Sequence, residues 1–181
     1  MPELTAFVRE VILPGGPDAV PRLNPAACRF KLRHGRSPID RWGLFAAEPI
    51  PRRRRVIDYT GEKIGRKEAR RRSLRSRLFF FRVSKHRSID GAIGGSGAEF
   101  INHSCEPNLV ARVRKGRVTF VSLRRIERGE ELLLDYQVAG DVPPLACRCG
   151  TPSCRGTMNR PVERPGTKPI RRRSPKTPLP S

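Results

Sequence analysis

The sequence predicts a mainly β, β-rich α+β domain with one helical insert and a metal-tied C-terminal loop, on three observations. Its clearest apolar runs are three or four residues long and bounded by Gly, Pro or charge, as the strands of small sheets require. One stretch, Arg66 to Leu78, lacks Gly and Pro and carries Glu68 and Arg72 at i,i+4 spacing, which predicts a helix. Four of the five cysteines are grouped as ligands of one ion.

Taken in order, residues 1–27 hold Pro2, Pro14, Gly15, Gly16, Pro17, Pro21 and Pro25 and read as an extended flank. Leu44-Phe45-Ala46 and Val56-Ile57-Asp58-Tyr59 are the first two predicted strands. The helix follows, inside an insert of about residues 62–90. Its many arginines repel one another unless an anion or an acidic surface lies close. Val118-Thr119-Phe120-Val121 is a further strand, and the turn Arg128-Gly129-Glu130 feeds a last one at Leu132-Leu133-Leu134. Residues 161–181 contain six prolines and the run Arg171-Arg172-Arg173, with almost nothing to bury, and are expected to be a disordered basic tail.

The 181 residues suffice for one domain with a modest core and tails. Lys and Arg number 38 against 17 Asp and Glu, a net charge of +21 that points to a polyanionic setting such as nucleic acid, chromatin or ribosome. Only seven of those cations are lysine; arginine suits bidentate phosphate and carboxylate contacts, though a GC-rich genome gives the same bias. Such charge describes surroundings and does not identify nucleic acid as a substrate. Arg9 and Glu10 interrupt the stretch from Leu4 to Leu13, so no signal peptide is read there. No run approaches the ~18 apolar residues of a membrane span. A cytosolic or nuclear setting is expected, where thiols stay reduced and clustered cysteines favour metal.

Cys147-x-Cys149-x4-Cys154 supplies three thiolates, one fewer than a closed tetrahedral zinc site takes. The nearest spare thiol is Cys105, within Asn102-His103-Ser104-Cys105 and 42 residues upstream of Cys147. If Cys105 closes the site, one structural Zn2+ ties that loop to the C-terminal segment and builds a pocket between them. Four unrelated structural thiols are the plainer reading, which leaves the tight spacing beside Gly150 without a cause. Cys28 has no partner by spacing and reads as packing or an incidental thiol. A Cys105 nucleophile with His103 as base is disfavoured, because a zinc-bound thiolate is unavailable as a nucleophile.

Arg41-Trp42-Gly43-Leu44-Phe45-Ala46, Asp58-Tyr59-Thr60-Gly61, Phe100-Ile101-Asn102-His103-Ser104-Cys105-Glu106-Pro107-Asn108, Glu131-Leu132-x-x-Asp135-Tyr136 and the cysteine tail follow one another along the chain. In order and spacing they resemble SET-domain protein lysine methyltransferases, in the trithorax-like branch with a post-SET zinc segment. The resemblance covers about residues 28–160. It implies a SET domain at 28–137 and a post-SET zinc segment at 138–160, built as small β-sheets around a knot-like threading. It implies S-adenosyl-L-methionine as methyl donor on one face, with the target lysine entering by a narrow channel from the other. Carried over residue by residue, the donor site comprises Arg41, Trp42, Gly43, Phe79, Phe100, Asn102, His103 and Tyr136. The lysine channel comprises Phe79, Leu134 and Tyr136, and the zinc ligands are Cys105, Cys147, Cys149 and Cys154. Taken singly, Trp42-Gly43 is a turn opening a strand, Asn102-His103 satisfies buried backbone and Tyr136 is a core aromatic; the motifs together outweigh those readings. Tyr136 is the expected catalytic residue. Methyl transfer from a sulfonium to an amine needs alignment and a matched electrostatic surrounding more than a strong acid or base, and a fixed tyrosine hydroxyl supplies both.

Three positions depart from the family pattern. Glu99 stands for a usual arginine, Phe79 for a usual tyrosine, and Leu134 for a usual Tyr or Phe. The missing hydroxyls leave a more apolar channel, so di- or trimethylation is expected over monomethylation. Arg52 to Arg55 and the helix residues Arg66, Lys67, Arg70, Arg71, Arg72, Arg75 and Arg77 form either a solvated basic face or a contact for nucleic acid or nucleosome. The expected substrate is a histone or another nucleic-acid-associated protein. A eukaryotic source places it in the nucleus on chromatin; a bacterial cytoplasmic enzyme or a secreted effector reads alike. The alternative is a catalytically degenerate SET module that binds chromatin or nucleic acid.

Overall fold

The computed structural model describes residues 21–75, 78–139 and 142–160. β1 (Leu32–Arg36) and β2 (Trp42–Ala46) pair antiparallel as a two-stranded sheet. β3 (Arg55–Tyr59) belongs to a five-stranded sheet completed later in the chain. β4 (Glu62–Gly65), α1 (Arg66–Arg72), β5 (Phe80–Arg82) and β6 (Arg87–Asp90) form a separate antiparallel sheet in the order β4-β6-β5, with α1 on its connection. β7 (Asn102–His103), β8 (Leu109–Arg114), β9 (Arg117–Ser122) and β10 (Leu133–Leu134) then join β3 in the order β3-β9-β8-β10-β7. No helix among the described residues is long and apolar enough to cross a membrane.

The four apolar runs picked out above fall on β2, β3, β9 and the approach to β10. Each buries its apolar positions: Val118, Phe120 and Ser122 of β9 face inward with period two, while Val56 and Ile57 of β3 meet at an irregularity between Arg55 and Ile57. Leu44, Ile50, Leu109, Ile126 and Leu132 complete one continuous core. The arginine-rich strands β1 and β8 lack that apolar signature and are not legible as strands. Leu23 and the Pro25–Ala27 turn also pack on the domain, capped by Asn24, so the end of the proline-rich flank is not simply extended. Residues 1–20 and 161–181 lie outside the described residues.

β7 and β10 are parallel neighbours, pairing Asn102 with Leu133 and His103 with Leu134. Parallel strands need a long crossover, and here the β8–β9 hairpin provides it. Asn108 holds the crossing in place: its buried side chain donates to Glu131 O at 2.7 Å and accepts from Leu133 N at 2.8 Å. This pairing sets Asn102 and His103 beside the end of β10, two residues before Tyr136.

The helix is shorter than expected. It ends at Arg72, where the Ser73 hydroxyl donates to Arg70 O at 2.6 Å and its N–H turns back to Ala69 O and Arg70 O. Its charges are also less available than the sequence suggests. Arg72 is buried against Glu62, Glu68 and Asp90, and Arg75 reaches the same Asp90 oxygen at 2.8 Å. Hydrogen bonds from Arg71 and Arg72 pull the partly exposed Glu68 carboxyl down to about 2. The acidic surface that the like charges need is therefore internal. Arg77 lies outside the described residues. Asp90 is fully buried, so Asp90→Ala strands the Arg75 guanidinium, leaves Arg72 with Glu62 and Glu68, and should cost about 3–5 kcal/mol in urea denaturation. Arg71→Ala, on the solvent side of the helix, should change stability little.

Candidate functional site

A cavity of about 240 Å³ is lined by Asp40, Arg41, Trp42, Leu78, Phe79, Glu99, Phe100, Asn102 and Tyr136. Six of these are residues selected above for a donor site: Arg41, Trp42, Phe79, Phe100, Asn102 and Tyr136. They arrive from the start of β2, the loop before β5, the turn before β7, β7 itself and the segment after β10. Trp42, Phe79 and Phe100 form a small aromatic cluster apart from the main core, with Phe79 and Phe100 centroids 5.5 Å apart. Arg36 lies over the Trp42 ring at 4.4 Å, and Arg41 takes a left-handed backbone, φ 36°, at the cavity edge.

Gly43 does not line the cavity. A Cβ there would overlap the Glu131 carboxylate, so the glycine makes room for Glu131 rather than for a ligand. Glu131 in turn accepts from Asn102 Nδ2 at 2.8 Å and from Ser37 Oγ at 3.0 Å. Asn102 Nδ2 also donates to Trp42 O at 3.0 Å. With both amide protons used inside the protein, the Asn102 carbonyl oxygen is its group for an occupant. Leu134 packs in the main core beside Leu109 and is not among the cavity residues, because β10 pairing turns it inward.

Tyr136 is 42% exposed as a residue, yet its hydroxyl points inward and donates to Ile101 O at 2.8 Å. Burial pushes its pKa well up, and the charges of Asp40 and Glu131 add to the rise. The hydroxyl is thus a neutral donor throughout the physiological range. His103 stands behind it, off the cavity wall. Its Nδ1 accepts from Tyr136 N at 3.2 Å, and its ring meets the Tyr136 ring edge-on at 5.4 Å. Burial lowers the His103 pKa against the opposing pull of Asp135. A neutral ring accepting at Nδ1 carries its proton on Nε2, which lies 3.6 Å from Cys105 Sγ.

The sulfurs of Cys105, Cys147, Cys149 and Cys154 lie within 4.8 Å of one another, with Cys105 and Cys147 at 3.8 Å. Ligands about 2.3 Å from a tetrahedral zinc stand about 3.8 Å apart, so the quartet fits such an ion. Backbone N–H groups of Cys149, Arg155 and Gly156 point at the sulfurs at 3.3–3.4 Å. Burial pushes the Cys105 thiol up and Cys147 to about 12, whereas at Cys149 burial is outweighed by hydrogen bonds, which draw it down to about 5. Arg155 adds a bidentate pair to Asp135 at 2.8 and 3.0 Å, a clamp beside Tyr136 for which the sequence holds no signal beyond proximity to Cys154. Cys28 lies apart, packed on the core with its Sγ toward Asn24 O.

Residues 41–137 match the SET domain family. A histone-lysine N-methyltransferase of Emericella nidulans, described as H3 lysine-4 specific, is 37% identical over 159 residues, 80% of this chain and 13% of its own length. The human histone-lysine N-methyltransferase SETD1A is 39% identical over 139 residues, 71% of this chain and 8% of its own. The chain therefore spans about an eighth or less of those two relatives. Among solved structures, an active polycomb repressive complex 2 in the basal state aligns with TM-score 0.54 and 33% identity, over 57% of this chain and 15% of that one.

Proposed function

This chain belongs to the SET-domain family, and from that premise we propose that it is an S-adenosyl-L-methionine-dependent protein lysine N-methyltransferase acting on a histone. The observation that carries the reading is the Tyr136 hydroxyl, fixed by a backbone carbonyl at the wall of an aromatic-lined cavity. In the reaction the lysine nitrogen forms a bond to the donor methyl as the methyl–sulfur bond breaks, and the electron pair stays on sulfur. Trp42, Phe79 and Phe100 exclude water, Asn102 offers an acceptor, and Tyr136 aligns the methyl between sulfur and nitrogen. A dry channel lowers the amine pKa and so favours the neutral nucleophile. The cysteine quartet holds a structural zinc, whose role is to order the C-terminal wall.

The names of the relatives make lysine 4 of histone H3 the first substrate to test, with chromatin as the place of action. The expected result with labelled donor is incorporation into H3, in peptide or nucleosome, and its loss when lysine 4 is replaced. Nucleic-acid contact is assigned to the arginine-rich insert, where Arg66, Lys67 and Arg70 are exposed and enter no ion pair among the described residues, and to Arg112, Arg114, Lys115 and Arg117 of the β8–β9 hairpin, which share those properties. Activity on nucleosomes should then fall with salt faster than activity on peptide. The degenerate-module reading draws on Glu99 and Phe79; failure to bind the donor would favour it.

Product multiplicity rests on Phe79, whose ring brings no hydroxyl to the cavity. Methylated nitrogen gains from apolar contact, at roughly 0.8 kcal/mol per buried carbon. The expected products are di- and trimethyl-lysine, and Phe79→Tyr should shift them toward fewer methyls in mass spectra of exhaustively reacted substrate. Monomethyl product alone from the native protein, with unmodified lysine consumed, contradicts this.

A further inference from the structure

Glu99 is an acid without a counter-ion. It lies in the Ala98–Phe100 turn, mostly removed from solvent, and lines the cavity with Trp42, Phe79, Phe100 and Tyr136. The chain carries 38 Lys and Arg, and its other enclosed acids use partners of their own. Asp90 pairs with Arg72 and Arg75, Asp135 with Arg155, and Glu131 is held by Ser37 and Asn102. Glu99 enters no ion pair among the described residues; one of its oxygens accepts from Gly97 N at 2.9 Å. Gly95 lies so close that a Cβ there would overlap both the Gly91 carbonyl and the Glu99 carboxylate, so the loop packs tightly on this side chain. An acid packed in place beside three aromatic rings, in no ion pair among the described residues, is arranged for a cationic occupant.

We propose that Glu99 is a specificity-determining residue of this cavity, its carboxylate selecting a cationic occupant, the sulfonium-bearing methyl donor, over the neutral thioether left after transfer. The inference rests on the methyl-donor reading above and adds to it the means of discriminating donor from product. S-adenosylhomocysteine shares the adenosine and amino-acid groups of the donor and differs by one methyl and one charge. Their affinity ratio therefore isolates the contribution of the sulfonium.

The charge on Glu99 is conditional. Burial pushes its carboxyl up to about 7, against the opposing hydrogen bond from Gly97. Selection should be present above that pH and fade as the carboxyl is protonated below it. The other ionisable groups around it are Asp40 and Arg41 on the cavity wall, the hydroxyls of Tyr136 and Tyr59, and His34, which lies against Phe100 and Gly97 O. A variant at position 99 separates Glu99 from these.

The test is calorimetric titration of the full chain with S-adenosylmethionine and S-adenosylhomocysteine between pH 6 and 8. In the native protein the preference for the sulfonium should rise about tenfold across that range, the order expected for a charge pair several ångströms apart in a partly buried site. In Glu99→Gln, with an unchanged melting temperature, the preference should be lower and flat. A flat ratio in the native protein overturns the assignment whether or not the variant folds. A rise that persists in the variant overturns it as well and points to His34. Binding of neither ligand to the native protein overturns the methyl-donor reading itself, and the assignment with it.

Discussion

Cys149→Ser, or removal of metal by a chelator, is expected to abolish methyl-donor binding while leaving most of the β core folded. The quartet joins Cys105, two residues beyond β7, to three sulfurs of the C-terminal segment. From Cys105 a short path runs to the cavity: Cys105 Sγ to His103 Nε2, then His103 Nδ1 to Tyr136 N. Asp135 and Arg155 tie the segment bearing Tyr136 directly to the same C-terminal segment. Structural zinc is coupled to the folding of what it holds, and an ion in the quartet would hold the wall bearing Tyr136. The main core, from Leu44 through Phe120 to Leu132, does not include the cysteines of the quartet. Donor affinity should therefore fall by at least ~100-fold, about 2.7 kcal/mol, while most of the β signal in circular dichroism persists. Cys28→Ser is the matched control and should leave donor binding intact. Elemental analysis of freshly purified reduced protein should return one zinc per chain; protein free of metal that still binds the donor refutes the argument.

The apolar runs were legible because they enter the core with the period of a strand. Val118 and Phe120, within one of the predicted strands, are buried with period two. β8, with Arg112 and Arg114 on exposed positions, carries no such pattern, and its place is set by hydrogen bonding to β9 rather than by hydrophobicity. The charged insert shows a different limit. Sequence spacing shows which arginines share a helix with Glu68, but not that Asp90, 18 residues beyond Arg72, lies beneath Arg72 and Arg75. A long-range ion pair of this sort leaves no local periodicity. Gly43 is similar: its smallness is visible, while the group that needs the space, Glu131, is 88 positions away. The aromatic and amide residues of the cavity come together because short, ordered motifs bring their own local geometry. Leu134 is placed by its sheet neighbours, pairing with His103 and Leu109 and packing on the core.

Tyr136→Phe should lower kcat by about 10²–10³, or ~3–4 kcal/mol, with donor affinity nearly unchanged. The phenyl ring keeps its edge contact with His103 and its share of the cavity wall. What is lost is the hydroxyl that donates to Ile101 O. Removing that hydrogen bond costs the fold about 1 kcal/mol, too little to unfold the site, so the kinetic loss can be read as lost alignment. The hydroxyl cannot serve as the base that deprotonates the substrate lysine. Burial first, and then the negative charges of Asp40 and Glu131, hold it neutral well beyond physiological pH. The rate should therefore rise with pH as the target amine loses its proton, and the Tyr136→Phe profile should keep the native shape at a lower level. Steady-state kinetics over pH 7–9, with donor binding measured separately, distinguishes the two roles. A variant whose profile loses its rising limb would make Tyr136 the proton acceptor, and a variant with native kcat would remove it from the chemistry altogether.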